Sequence, residues 1–116
     1  MIRFWVDEFD IDGIRLDCAN ILDFNFMKEM RTKTASMKPD FWLMGEVIHG
    51  DYSRWVNPEM LHSVTNYELH KSIYSGFNDH NFFEIAHNVR RLEAIGRQLY
   101  TFLDNHDEDR IASKLK

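Results

Sequence analysis

Ile2, Trp5, Val6 and Phe9 recur at helical spacing, so residues 1–9 read as a helix, and Asp10-Ile11-Asp12-Gly13 reads as a turn. The run Ile14-Arg15-Leu16-Asp17-Cys18 follows as a short strand, and Leu22, Phe26, Met27 and Met30 then fall on one face of a second helix that fades by Ser36. Phe41 to Val47 is apolar but too short for an ordinary helix, which predicts a buried strand. An irregular stretch from Ile48 to Pro58 leads to a third strand, Ser63-Val64-Thr65-Asn66-Tyr67. Helical patterns run through about Gly76 and again from Phe82 to Ile95, a fourth strand spans Leu99 to Leu103, and Glu108 to Lys116 begins another helix. Strand alternating with helix is the signature of a parallel sheet built from βα units. A complete (β/α)8 barrel takes about 250 residues, roughly 31 per unit, so the chain corresponds to about four units of a partial barrel.

Each predicted strand ends in polar, mostly acidic residues: Asp17, then Glu46, then Asn66 with Glu68, then Asp104 with Asp107. Any one of them is a natural helix N-cap in a βα loop. Four in succession point to a site, because barrel active sites are assembled from the C-terminal ends of several strands. Alternation along a strand sends Arg15 and Asp17 to one side, and Ile14, Leu16 and Cys18 to the other. A buried Arg15 would favour the ionised form of Asp17, the state a nucleophile needs. Glu46 follows Trp42-Leu43-Met44-Gly45, and an apolar setting favours the protonated carboxyl that a general acid needs. Two carboxyls with opposed environments are what retaining glycoside hydrolysis requires, with the pair about 5 to 5.5 Å apart. The dense polar run Asp104-Asn105-His106-Asp107 could hydrogen-bond sugar hydroxyls; alternatively Asn105, His106, Asp107 and Asp109 offer metal-ligand chemistry.

Composition narrows the classes. The 116 residues are 44% hydrophobic and carry 14 basic against 19 acidic side chains, a net charge of -5. That is enough apolar material for a core, and it argues against disorder. No uncharged run is long enough to span a membrane, and no basic stripe suits nucleic acid. With few glycines and prolines, no internal boundary or repeat emerges, and 1–116 reads as one piece. One cysteine excludes an internal disulfide, and the first residues lack a secretory pattern, so a cytoplasmic location is the expectation.

Three stretches together carry a resemblance: Asp12-Gly13-Ile14-Arg15-Leu16-Asp17-Cys18-Ala19-Asn20, Gly45-Glu46-Val47, and Phe102-Leu103-Asp104-Asn105-His106-Asp107. In this order, each at the end of a predicted strand, they resemble the three later signature regions of the alpha-amylase family, glycoside hydrolase family 13. The likeness extends from the third barrel helix through strands four to seven, and is greatest to the neopullulanase, cyclomaltodextrinase and maltogenic amylase branch. It implies that Asp17 is the nucleophile, Glu46 the general acid/base and Asp107 the third acid, which stabilises the distorted sugar. It also implies that Arg15 and His106 contact the sugar under attack, with Asn20 as a further substrate contact, in retaining cleavage or transfer on starch-derived alpha-glucan oligosaccharides. Ile21 and Ile48 stand where relatives often have an acidic and an aromatic residue, which leaves chain-length preference open. The family's first signature and its strands one, two, three and eight have no counterpart, so the chain reads as part of a catalytic barrel. No cofactor is expected, and calcium in the parent enzyme draws on regions outside this sequence.

Trp55, in the loop after Glu46, is a candidate sugar-stacking residue, whereas Trp42 and Phe82 read as core. Cys18 reads as a small apolar group packed behind the nucleophile. His80, Glu84 and His87 share a helical face, a spacing that chance also supplies. Two functional classes stand: a working hydrolase, and a catalytically silent piece that self-associates through exposed sheet edges. A metal-dependent hydrolase is a distant third.

Overall fold

A computed structural model describes residues 1–116. Five helices and three strands follow one another along the chain: α1 (Ile2–Phe9), β1 (Gly13–Leu16), α2 (Phe24–Met37), β2 (Trp42–Gly45), β3 (Ser63–Val64), α3 (Tyr67–Asn78), α4 (Phe82–Arg91) and α5 (Ile111–Lys114). The sheet has the order β1-β2-β3, with both pairs parallel. No helix is long and apolar enough to cross a membrane.

Register decides which side chains share a face. Gly13 to Leu16 pair in sequence with Trp42 to Gly45, and Met44 and Gly45 pair with Ser63 and Val64. Alternation then places Ile14, Leu16, Leu43 and Val64 on one face, against a core that includes Met27, Phe41, Tyr52, Trp55, Leu61, Leu92 and Leu99. Arg15, Trp42, Met44 and Ser63 take the opposite face. Trp42 is 41% exposed there, and Phe82 is exposed at the start of α4, so neither is the core residue the sequence suggested. Trp42 opens β2 on the face of Arg15 and Ser63, where it lines an open cleft with Arg31 and His62 and keeps part of its ring in solvent.

The predicted fourth strand shrinks to a single bridge. Tyr100 pairs with Thr65, donating its N–H to the Val64 carbonyl and accepting from the Asn66 N–H, each at 2.9 Å. Beyond it the chain leaves the ladder, and Phe102 packs against the rings of α3 instead of extending the sheet. The third strand is shorter than expected because Asn66 already caps α3, its side chain accepting the Leu69 N–H. Helix α4 stops at Arg91, four residues before the predicted end, as Leu92 turns into the core. The C-terminal helix contracts to Ile111–Lys114.

Candidate active site

Carrying the β1–β2 register one step past the ladder sets Asp17 beside Glu46, and the β2–β3 register sets Thr65 next in the same row. All three stand on the face of Arg15 and Met44, at the C-terminal edge of the sheet. Two residues per strand period and a parallel register thus suffice to bring Asp17 and Glu46 together.

Arg15 joins the two acids. Its Nη1 donates to Asp17 Oδ1 at 3.1 Å, and its Nη2 lies 3.3 Å from Glu46 Oε2. The Arg15 hydrogen bond holds the Asp17 carboxyl below its ordinary range, as the ionised reading of Asp17 requires. The buried arginine does not materialise: its side chain is 31% exposed and that of Asp17 77%. The three strands of the sheet leave this face open beside Asp17.

Glu46 is enclosed, its side chain 10% exposed, but its surroundings are not purely apolar. Oε2 also accepts the Cys18 N–H at 3.0 Å, while the Glu46 backbone carbonyl accepts the Ala19 N–H at 2.8 Å. The turn after Asp17 therefore grips Glu46 at both main chain and side chain. Cys18 achieves this in the left-handed region, at φ 44°, a conformation costly for a residue with a Cβ. Its side chain is consequently exposed and turned toward the acids, not packed behind Asp17, and the Asp17 charge pushes the thiol up. Behind Glu46, the buried Thr65 hydroxyl accepts the Val47 N–H at 3.0 Å and donates to the Val47 carbonyl at 3.1 Å. In the sequence Thr65 is one residue of the third predicted strand, and a threonine there carries no distinctive signal.

Atoms of Asp17, Cys18 and Glu46 lie within 4.8 Å of one another, the only such group of metal-ligating side chains in the molecule. One guanidinium nitrogen of Arg15 stands against one oxygen of each of its two carboxylates. Neither His80, Glu84 and His87 nor His106, Asp107 and Asp109 form such a group. His80 lies in the turn before α4 with a left-handed backbone, and the Glu84 carboxylate accepts from Ser75.

His106 and Asp107 pair with each other, Nε2 to Oδ2 at 3.0 Å, on the exposed segment after Phe102. No hydrogen bond or ion pair connects them to Arg15, Asp17 or Glu46. They lie on a loop several residues beyond the Tyr100 bridge, so sheet register does not place them as it places Asp17 and Glu46. Asn20 is exposed in the short turn after Cys18, near the acids in sequence but without a side-chain partner.

Trp55 is not a sugar platform. It is 5% exposed and belongs to the core, with its ring against the edge of Phe24. The loop between β2 and β3 folds back on itself, the Leu61 N–H donating to the Trp55 carbonyl and Val56 bridging to Leu61, and this drives the indole inward. Of the four polar strand ends, Asn66 and Asp104 do the plainer work of capping: Asp104 accepts the Ile111 N–H at the start of α5.

Across residues 1–116 the sequence matches the family of alpha amylase catalytic domains. It is 32% identical over 119 residues to the maltogenic alpha-amylase of Bacillus acidopullulyticus, covering 97% of this chain and 20% of that protein. Neopullulanase 2 of Thermoactinomyces vulgaris is 35% identical over 115 residues, 93% of this chain and 19% of that protein. The alpha-amylase of Geobacillus thermoleovorans, solved complexed with acarbose, is similar in structure with a TM-score of 0.81 at 27% identity, covering 97% of this chain and 27% of that one. The chain thus spans about a fifth of the length of the curated relatives it matches. With a parallel α/β architecture, acids at adjacent strand ends and a family match along its whole length, the chain belongs to the alpha-amylase catalytic-domain family and forms a segment of its barrel.

Proposed function

We propose that this chain carries the nucleophile and the general acid/base of a retaining hydrolase or transglycosylase acting on alpha-glucosidic bonds of maltodextrin, cyclomaltodextrin or pullulan type. The observation that carries the reading is the Arg15 bridge between two carboxylates whose nearest oxygens lie within 4.8 Å. Retaining enzymes hold the pair about 5 to 5.5 Å apart, whereas inverting enzymes need about 6.5 to 9.5 Å to admit a water. Carboxylates whose nearest oxygens come within 4.8 Å, bridged by one arginine, suit direct attack by one of them; that bound applies to the nearest oxygens and not to the separation of the two groups.

Asp17, exposed and held ionised by Arg15, attacks the anomeric carbon. Glu46, fixed by the Cys18 N–H, gives its proton to the leaving oxygen and then takes one from the water that releases the glycosyl-enzyme. Asp107, paired with His106, is the third acid, which stabilises the distorted sugar. Arg15, His106 and Asn20 face the substrate. The names of the relatives, maltogenic amylase and neopullulanase among them, support the substrate class.

Reducing-sugar release from maltotriose tests the assignment in the parent chain and in Glu46→Gln and Asp17→Asn. Turnover that disappears in both variants supports the roles given; turnover that persists in either overturns them.

A second reading has its own observation. The free edge of β1 borders a groove of about 590 Å³ lined by Ile2, Ile14, Leu16, Leu22, Phe26 and Met30 among others, while Phe4, Trp5 and Phe9 form an exposed aromatic cluster on α1. An unpaired edge beside exposed apolar surface favours association. In this reading the chain is catalytically silent and self-associates; no turnover in any form, with a solution mass above that of one chain, is its signature.

A further inference from the structure

No residue after Phe102 is buried, so apolar packing does not hold the segment that carries His106 and Asp107. Its position comes from polar ties, and these converge on one face of α3. Tyr67, His70, Tyr74 and Asn78 are spaced by three, four and four residues, which puts them in a single stripe. The Tyr67 hydroxyl accepts from Asn105 Nδ2 at 3.0 Å. His70 lies buried and flat on Phe102, with ring centroids 5.1 Å apart, and its Nε2 is 3.4 Å from Lys114 Nζ and 3.6 Å from Glu108 Oε2. Lys114 in turn pairs with Glu108 and sits 4.7 Å from the centre of the Tyr74 ring. Asn78 closes the far end, donating to the Lys114 carbonyl at 2.8 Å and accepting the Lys116 N–H at 2.9 Å.

We infer that this stripe is a clasp that sets the position of residues 104–116, with Tyr67 a positioning residue that acts on Asp107 through Asn105. The relay is short. Tyr67 fixes the Asn105 amide, and the Oδ1 of that same amide accepts the Asp107 N–H at 2.9 Å. Rotation of the Asn105 side chain away from Tyr67 therefore frees the Asp107 backbone as well. The Tyr67 ring is independently seated, edge-on to Phe102 at 4.9 Å, so loss of the hydroxyl leaves its packing in place. The inference rests on the reading of Asp107 as the third acid for its functional meaning, while the clasp itself is a statement about this chain's geometry.

Amide hydrogen exchange by NMR tests it on the 116-residue chain. Tyr67→Phe is expected to speed exchange at Asp107 and Glu108 by about fivefold, the factor that follows from losing one ordinary hydrogen bond. Exchange at Glu46 and Thr65, in the sheet, stays unchanged. The Asn105 side-chain amide proton that faces the Tyr67 hydroxyl moves to its free-asparagine chemical shift, which reports loss of that one bond directly. Asn78→Ala is expected to speed exchange within 111–115 and to leave the sheet alone, and it serves as the second variant if Tyr67→Phe folds poorly. Lys71→Ala, on the same helix but outside the clasp, changes neither. Unchanged exchange at Asp107 in Tyr67→Phe overturns the inference, as does an equal increase at every amide. Asp107→Asn in the maltotriose assay tests the catalytic reading separately, so a failed clasp and a failed third acid give different results.

Discussion

Gly45 stands one residue before Glu46 and has no room for a side chain. A Cβ built there would lie 2.5 Å from Leu61 Cδ1 and 2.7 Å from the Ala19 Cβ, where ordinary contacts fall at about 3.4–4 Å. Neither neighbour can retreat easily: Leu61 is 1% exposed and Ala19 is fully buried. Ala19 is further pinned by its N–H to the Glu46 carbonyl, so a shift there moves the turn that holds Glu46. Overpacking of a filled core costs about 1–3 kcal/mol. A loss near the middle of that range lowers the melting temperature of a chain this size by roughly 6–12 °C. Gly96→Ala is the matched control, because nothing lies within 4 Å of its Cβ position and its backbone needs no left-handed angle. It is expected to be neutral or to stabilise by about 0.4–1 kcal/mol through the unfolded chain. Thermal unfolding followed by circular dichroism reads both variants. A Gly45→Ala curve that coincides with the parent's would refute the packing argument.

Asp23→Ala removes the carboxylate that accepts the Phe26 N–H at the start of α2, and urea unfolding should show a loss of about 0.5–2 kcal/mol. Cys18→Gly relieves the left-handed cost at an exposed position and is expected to match or exceed the parent's stability, whereas Cys18→Val, with its branched Cβ, falls below it. Burial, reinforced by Arg31, holds the His62 imidazole below its ordinary value, and Nδ1 accepts the Leu43 N–H. The unfolded chain then binds the extra proton first, so this contribution is intact above about pH 6.5 and declines as pH falls toward the lowered folded value. His62→Asn, which keeps an acceptor without a titrating ring, should flatten the change in urea midpoint between pH 7 and pH 5.5. Glu108, lowered chiefly by Lys114, and Asp17, lowered chiefly by Arg15, have the same sign but act at more acidic pH, below the ordinary carboxylate range.

Local pattern was enough for much of this molecule. The 3.6-residue period of Ile2 to Phe9 and of Leu22 to Met30, and the short apolar run around Leu43, identified α1, α2 and β2, because each of these signals is written in the segment itself. Period-two alternation likewise put Arg15 with Asp17 and made Glu46 a strand-end acid, and the three signature stretches pointed to the family. Tertiary structure decided what depends on partners distant in the chain. The β1–β2 register, not any local motif, made Asp17 a neighbour of Glu46. The direction of the β2–β3 loop buried Trp55, and the face on which they stand left Trp42 and Arg15 partly exposed. Residues 99–103 have strand composition, yet a strand exists only where a neighbour supplies a ladder, and here that ladder ends at Tyr100. The clasp on Asn105 shows the same division: the spacing of Tyr67, His70, Tyr74 and Asn78 was present in the sequence, but its meaning depended on where the chain returned after Phe102.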